Sequence, residues 1–349
     1  MQLCSFELEL TTVPFGNFTF PPITLTLPPR MPPGLDASAI NKILLPLAVG
    51  IALLFAAARA GSWALRAGEG MPTPRVVMGW LPIIAATAAA VHLGRMDLAL
   101  AIIFGTSVAI LSILVGAVAL VAPESDPPPG VRRFWAFVLP VALLTFLAGM
   151  AGRLSIIHAG AFFLEGVVVL LAWPEMSSES APVATEKNAK SDENPMPLLT
   201  FVILLACGGA YAAAAGTMAS ANTMPMAEGD VLIALLSPIL ILPLSIGVVP
   251  LAQHQRAWVA IGAGVRVVLL NLCLLLPALI VWQHQFAGGN PLSFPMITWR
   301  VDNVILILLS LVLIPVSMGR WRLGRAEGLT LVLFYLVFII MELAAGRQS

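Results

Sequence analysis

Ten apolar stretches, each near the length that a helix needs to cross a bilayer, dominate this chain. The hydrocarbon core takes about 20 largely apolar residues in a helix. The stretches run roughly over 40–58, 76–93, 98–121, 134–151, 155–173, 197–216, 230–252, 257–282, 301–318 and 327–345. The second is short and follows Pro72 and Pro74, and only Gly94-Arg95-Met96-Asp97 parts it from the third, so nine or eleven helices stay open beside ten. Composition narrows the class further. Charged residues make up 10% of the 349, against about 25% in an ordinary soluble domain. With a mean hydropathy of +0.96, the reading is an all-α polytopic membrane protein whose main partner is the lipid bilayer.

Lys+Arg and Asp+Glu balance at 18 each, so no basic surface points to nucleic acid. Cys4, Cys207 and Cys273 lie far apart, with no CxxC pair and no disulfide framework, and read as inert packing residues. No HExxH, GxSxG or P-loop pattern occurs. Neither an enzyme, a cofactor nor a metal centre is expected.

Four segments organise the chain. Residues 1–38 lack a basic start followed by an apolar run and carry seven prolines from Pro14 to Pro33. They read as an extended or disordered extracytoplasmic tail, or as a small β-structured cap. Residues 39–173 hold five apolar stretches and 197–349 hold five more. The polar stretch 174–196, with Glu175, Glu179, Glu186, Lys187, Lys190, Asp192 and Glu193, reads as a solvated linker between them. With the N-terminus outside, alternate loops place eleven Lys and Arg residues in the cytoplasm and six outside. That asymmetry predicts both termini outside and the linker in the cytoplasm, in a plasma membrane of the bacterial inner type.

The halves share a plan. Arg132-Arg133 opens a helix ending at Gly152-Arg153, with Gly160 beyond; Arg300 opens one ending at Gly319-Arg320, with Gly328 beyond. Pro82 in the second stretch and Pro243 in the seventh each precede a short polar turn and a glycine-bearing helix. Chance similarity between helix-forming segments is the rival explanation. Matching prolines suggest broken helices lining a cavity. An odd number of helices per half makes the second copy insert upside down, so a site is expected at the midplane between inverted repeats.

On these residues the chain resembles the cation/calcium antiporter superfamily, the sodium/calcium exchanger membrane fold. The local matches are GRMDLALAIIFGTS at 94–107 and GRWRLGRAEGLTLVLFYLVF at 319–338. The resemblance covers about residues 40–345 and implies ten helices, two inverted five-helix repeats and a transport function. The family's calcium-binding glutamates follow the prolines of helices two and seven. Here those positions hold Ile83 and Leu244. The family's Gly-Ser-Asn triplet is replaced by Gly105-Thr106-Ser107, its counterpart in helix eight is Arg266-Val267-Val268, and Asn271 matches a later family asparagine.

Calcium takes six to eight oxygen ligands, carboxylates among them, so ordinary sodium/calcium exchange is not expected. The candidate pathway comprises Pro82, Thr87, Gly105, Thr106, Ser107, Pro243, Ser245, Arg266 and Asn271, with Ser112 close by. A charge at a helix centre costs about 3 kcal/mol on insertion scales, so Arg266 needs a specific place. Three readings stand. It fills the family's cation volume, it packs or snorkels against carbonyls or an acid, or it attracts an anionic substrate. Glu165 is the other intramembrane charge, either a proton relay or a peripheral structural acid. His92, His158, His254 and His284 read as interfacial residues near helix ends, and Trp80, Trp135, Trp173, Trp282 and Trp299 as aromatic belts. The functional expectation is alternating-access transport of a small cation or solute. The alternatives are a non-transporting scaffold relative with Arg266 in the former cation site, and an Arg-centred anion carrier.

Overall fold

The structure, a computed structural model, describes residues 37–67, 73–123, 129–178, 196–221, 226–251, 257–318, 320 and 322–346. The tail, residues 179–195 of the linker, and His254 lie outside the described residues, as do the side chains of Trp135 and Trp173. The chain divides into Met1–Asn41 and Lys42–Ser349; the apolar part of each membrane-spanning helix falls in the second unit.

The described helices form ten spans. Span 1 is α1 (Ala37–Ala67) and span 2 is α2 (Thr73–His92). Span 3 joins α3 (Met96–Ala109), a π-helical turn (Ile110–Leu114) and α4 (Val115–Val121). Spans 4, 5 and 6 are α5 (Pro129–Ala148), α6 (Ile156–Ser178) and α7 (Met196–Ala221). Span 7 joins α8 (Met226–Leu240) and α9 (Leu242–Leu251). Span 8 joins α10 (Ala257–Leu270), a second π-helical turn (Asn271–Leu275) and α11 (Leu276–Phe286). Spans 9 and 10 are α12 (Met296–Ser317) and α13 (Arg325–Gly346). Eight of these are long and apolar enough to cross a bilayer, and the apolar parts of spans 4 and 5, Ala136–Ala151 and Ile156–Ala172, are shorter. The chain is a polytopic all-α membrane protein with two inverted five-helix repeats.

Burial ranks the spans. Span 3 is 89% buried and span 8 is 78% buried, whereas spans 1, 6 and 10 are buried over a third or less. The two spans with π turns therefore form the centre. The outer ones present leucine, valine and phenylalanine to lipid.

Turn chemistry sets the hairpins. Between spans 2 and 3, Gly94 takes φ 72, a left-handed conformation that glycine adopts without a Cβ clash. Arg95 forks onto Asp97 at 2.8 Å, and Asp97 sits in the first turn of α3, where a carboxylate complements the helix dipole. Gly152 does the same after span 4 (φ 71) and leads into a two-residue strand, Arg153–Leu154. That strand pairs antiparallel with Leu292–Ser293, before span 9. The loops after spans 4 and 8 thus share one membrane face, as two even-numbered crossings require.

The packing between the halves is two-fold. Gly50 in span 1 and Gly209 in span 6 press on each other's backbone, an added Cβ on Gly50 falling 2.7 Å from the Gly209 carbonyl. Span 4 meets span 9, where Thr145 donates to Asn303 Oδ1 at 2.8 Å and Gly149 rests on the Trp299 indole. Span 5 meets span 8: a Cβ on Gly166 would lie 2.9 Å from the Cys273 carbonyl. Span 10 meets span 3 in the same way, a Cβ on Gly328 lying 2.8 Å from the Gly116 carbonyl. Exchanging spans 1–5 with 6–10 maps this set of contacts onto itself. Glycine supplies the close approach, since transmembrane helices gain little from hydrophobic exclusion and rely on small residues to pack.

Several expectations need correction. Pro82 lies inside a continuous helix, so span 2 is not broken; only span 7 is interrupted, at Ile241 between Pro238 and Pro243. A proline inside a helix removes one ladder hydrogen bond and bends it without ending it when neighbours hold both sides. Trp299 is not a belt residue. It is 3% exposed and stacked on Phe294, with the Phe104 ring edge-on to it. Span 5 runs to Ser178, past the expected end at 173.

Candidate functional site at the seam between the halves

The positions that define the seam are related by one constant shift. Pro82 and Pro243 are 161 positions apart (243 less 82), and so are Gly105 and Arg266, and the first residues of the two π turns, Ile110 and Asn271. In each π turn the backbone bond reaches five residues: Val115 N–H donates to Ile110 O, and Leu276 N–H to Asn271 O. Single π turns inside α-helices widen the helix locally and recur at functional sites. Both occur where the central spans meet.

At that meeting the structure brings three of the predicted residues together. The Asn271 amide donates to Thr106 Oγ1 at 3.2 Å and to Ser107 Oγ at 3.3 Å. Both hydroxyls are also bonded to their own helix, Thr106 to the Ile102 carbonyl at 2.6 Å and Ser107 to the Ile103 carbonyl at 2.7 Å. All three residues are fully buried. Among the described residues Asn271 Oδ1 has no hydrogen-bond partner, so the triad presents one open acceptor. A buried amide oxygen left without a hydrogen bond costs about 1–3 kcal/mol.

The other predicted residues surround the triad without joining it. Gly105 lets Ser237 of span 7 approach, since a Cβ there would fall 2.5 Å from Ser237 Oγ. Thr87 is turned back on the Ile83 carbonyl at 2.8 Å, and Ser112 on the Val108 carbonyl at 2.6 Å. Ser245 is half-buried on α9. Pro82 and Pro243 are buried. Ile83 and Leu244, which follow them, are buried hydrocarbon, with Leu244 leaning on Gly79. No carboxylate enters the seam from those two positions. Arg266 is 6% exposed, on a helix buried all round. It does not snorkel.

Sequence reasoning missed other buried polar groups. Arg75, Asp302 and Glu342 are each at most 5% exposed, and Asn303 is fully buried. Tyr335 of span 10 donates to the Ala234 carbonyl of span 7 at 2.5 Å, within reach of Ser237. Asp302 and Glu342 sit near the ends of apolar stretches, where a charge looks interfacial, and only the packing shows them covered. Glu165 lies apart from the triad on span 5, half-buried. The described histidines, His92, His158 and His284, stand at helix ends, as expected. His158 and His284 line an open cavity of about 410 Å³ with Arg153 and Ser155, and the Ser155 N–H donates to His158 Nδ1 at 3.0 Å. Among the described residues no group of three His, Cys, Asp or Glu side chains is arranged to hold a metal ion.

No protein-family model and no curated protein matches the chain. Solved structures do. The sodium-calcium exchanger NCX_Mj soaked with 10 mM Na+ and 10 mM Sr2+ superposes with a TM-score of 0.60 at 14% identity, over 85% of this chain and 97% of that one. The same exchanger with 10 mM Na+ and zero Ca2+ gives 0.58 at 15% identity, over 86% and 99%. Its form at zero Na+ and Ca2+ gives 0.54 at 14%, over 84% and 96%. The ten spans, their two-fold packing and these superpositions agree that this chain has the membrane fold of the sodium-calcium exchanger NCX_Mj.

Proposed function

We propose that the chain is a secondary-transporter-like protein, a divergent relative of the cation/calcium antiporters without their ion-binding glutamates. It moves a small cation or solute by alternating access through the midplane seam. The observation that carries this reading is the Asn271 amide, which bridges Thr106 and Ser107 from the opposite half and leaves Oδ1 open. A group that joins two inverted repeats at the centre is where rocking of one half against the other exposes a solute to alternate sides. Threonine, serine and asparagine oxygens suit a weakly held cation or a neutral polar solute. They do not suit calcium, which needs more oxygens and negative charge. The same reading makes the chain a carrier rather than an enzyme, seated in a bacterial-type inner membrane with both termini outside.

A second reading is favoured by the closure of the triad on itself and by Arg266 standing where the other half has Gly105. In it the fold is a scaffold that transports nothing.

Purified protein in liposomes separates the two. The first reading expects uptake of a monovalent cation or small polar solute, no calcium uptake, and loss of uptake in Asn271→Leu with the fold intact. An inert wild type across cations, anions and neutral solutes contradicts it.

A further inference from the structure

Glu165 occupies an unusual place. It lies nine residues into span 5, about 13 Å along a helix, near the middle of the bilayer. It is half-buried at the border of two faces, with Phe162, Gly166 and Val169 buried on one side and Ala161 and Val168 exposed toward lipid on the other. The buried face lies on span 8, with Gly166 against the Cys273 carbonyl inside the π turn. Glu165 Oε2 is buried and has no hydrogen-bond partner among the described residues. The groups brought by the packed elements are few. Cys273 comes from the π turn, Arg266 from α10 and His284 from the far end of α11; the described side chains of α5 bring none, and His158 stands at the outer end of α6.

We propose that Glu165 is an intramembrane proton-binding site set against the π turn that carries Asn271. A lone carboxyl among apolar side chains offers too few oxygens for a metal ion, and intramembrane acids in such settings serve proton relays. The proton is the ligand that one carboxyl can hold without further partners. Its charge state acts on the seam through span 8, since Cys273 is two residues from Asn271 in the same widened turn. That coupling rests on the transport reading; the proton site does not.

The test uses a lipid-soluble carbodiimide on the full chain in liposomes. The carboxyl adds across the reagent's C=N bond, its proton passing to nitrogen and its oxygen bonding to the central carbon. The acyl group then shifts to nitrogen as a stable N-acylurea, with no leaving group. Mass spectrometry is expected to find the adduct on the peptide holding Glu165, declining as pH rises and absent in Glu165→Gln. A water-soluble carbodiimide should not label it. No adduct on that peptide, or equal labelling by the water-soluble reagent, overturns the proton site. Where the wild type carries a solute, Glu165→Gln is expected to keep solute binding and lose the dependence of uptake on a pH gradient; unchanged dependence overturns the coupling. A wild type that is labelled but carries nothing supports the proton site while the transport reading fails.

Discussion

Gly328→Val is expected to abolish the folded, monodisperse protein in detergent. The new side chain would have to enter span 3, where a Cβ already meets the Gly116 carbonyl at 2.8 Å and the Leu120 nitrogen at 3.1 Å. Backbone atoms cannot swing aside as a side chain can. Overpacking costs typically about 1–3 kcal/mol even where side chains yield, so the upper end or beyond applies here. The two-fold packing predicts the same result for Gly166→Val, whose Cβ meets the Cys273 carbonyl at 2.9 Å and its Cβ at 3.1 Å. Gly160→Val is the control, because a Cβ there finds nothing within 4 Å. Thermal unfolding checks all three: Gly160→Val should match wild type, and the other two should lose their transition together. A tolerant Gly328 beside an intolerant Gly166 would break the symmetry on which the site rests.

Arg266→Met is expected to change what the seam holds. A second cation held about 4 Å from the guanidinium at an effective dielectric near 20 is disfavoured by roughly 4 kcal/mol, about a thousandfold in occupancy. Methionine keeps much of the volume and removes the charge. Sodium-dependent thermal stabilisation should therefore appear in the variant at lower concentrations than in wild type. Ligand at about 100 times its Kd adds roughly 2.7 kcal/mol, a shift that unfolding curves resolve. The opposite outcome is as informative. Anion-dependent stabilisation of the wild type, lost in Arg266→Met, would make the seam an Arg-centred anion site.

The spans were legible because transmembrane helices must be long and apolar whatever they pack against, and even the tight turn at Gly94 to Asp97 was visible as a break. The duplication was legible through the 161-residue shift from Pro82 to Pro243, which the π turns repeat. The turns themselves were not legible: ILSIL at 110–114 and NLCLL at 271–275 read as ordinary apolar helix. Spacing also misled at the end of each half. Gly160 matches Gly328 by distance from the preceding Gly-Arg pair, yet the glycine that packs like Gly328 is Gly166. Close approach is a property of two helices, and one stretch of sequence carries only half of it. Thr106, Ser107 and Asn271 could be named as polar residues in apolar spans, but their joining across 164 and 165 positions came from the fold.

The carrier account turns on whether the seam opens. In a chain whose Cys4, Cys207 and Cys273 are replaced by alanine, Ser107→Cys places one thiol where the structure is fully buried. Membrane-impermeant thiol reagents applied to sealed vesicles from each side in turn then read its exposure. If the halves rock about the Asn271 bridge, the thiol reacts from both sides. Reaction from neither side, or from one side alone, would show a seam that never turns over and would contradict transport through it.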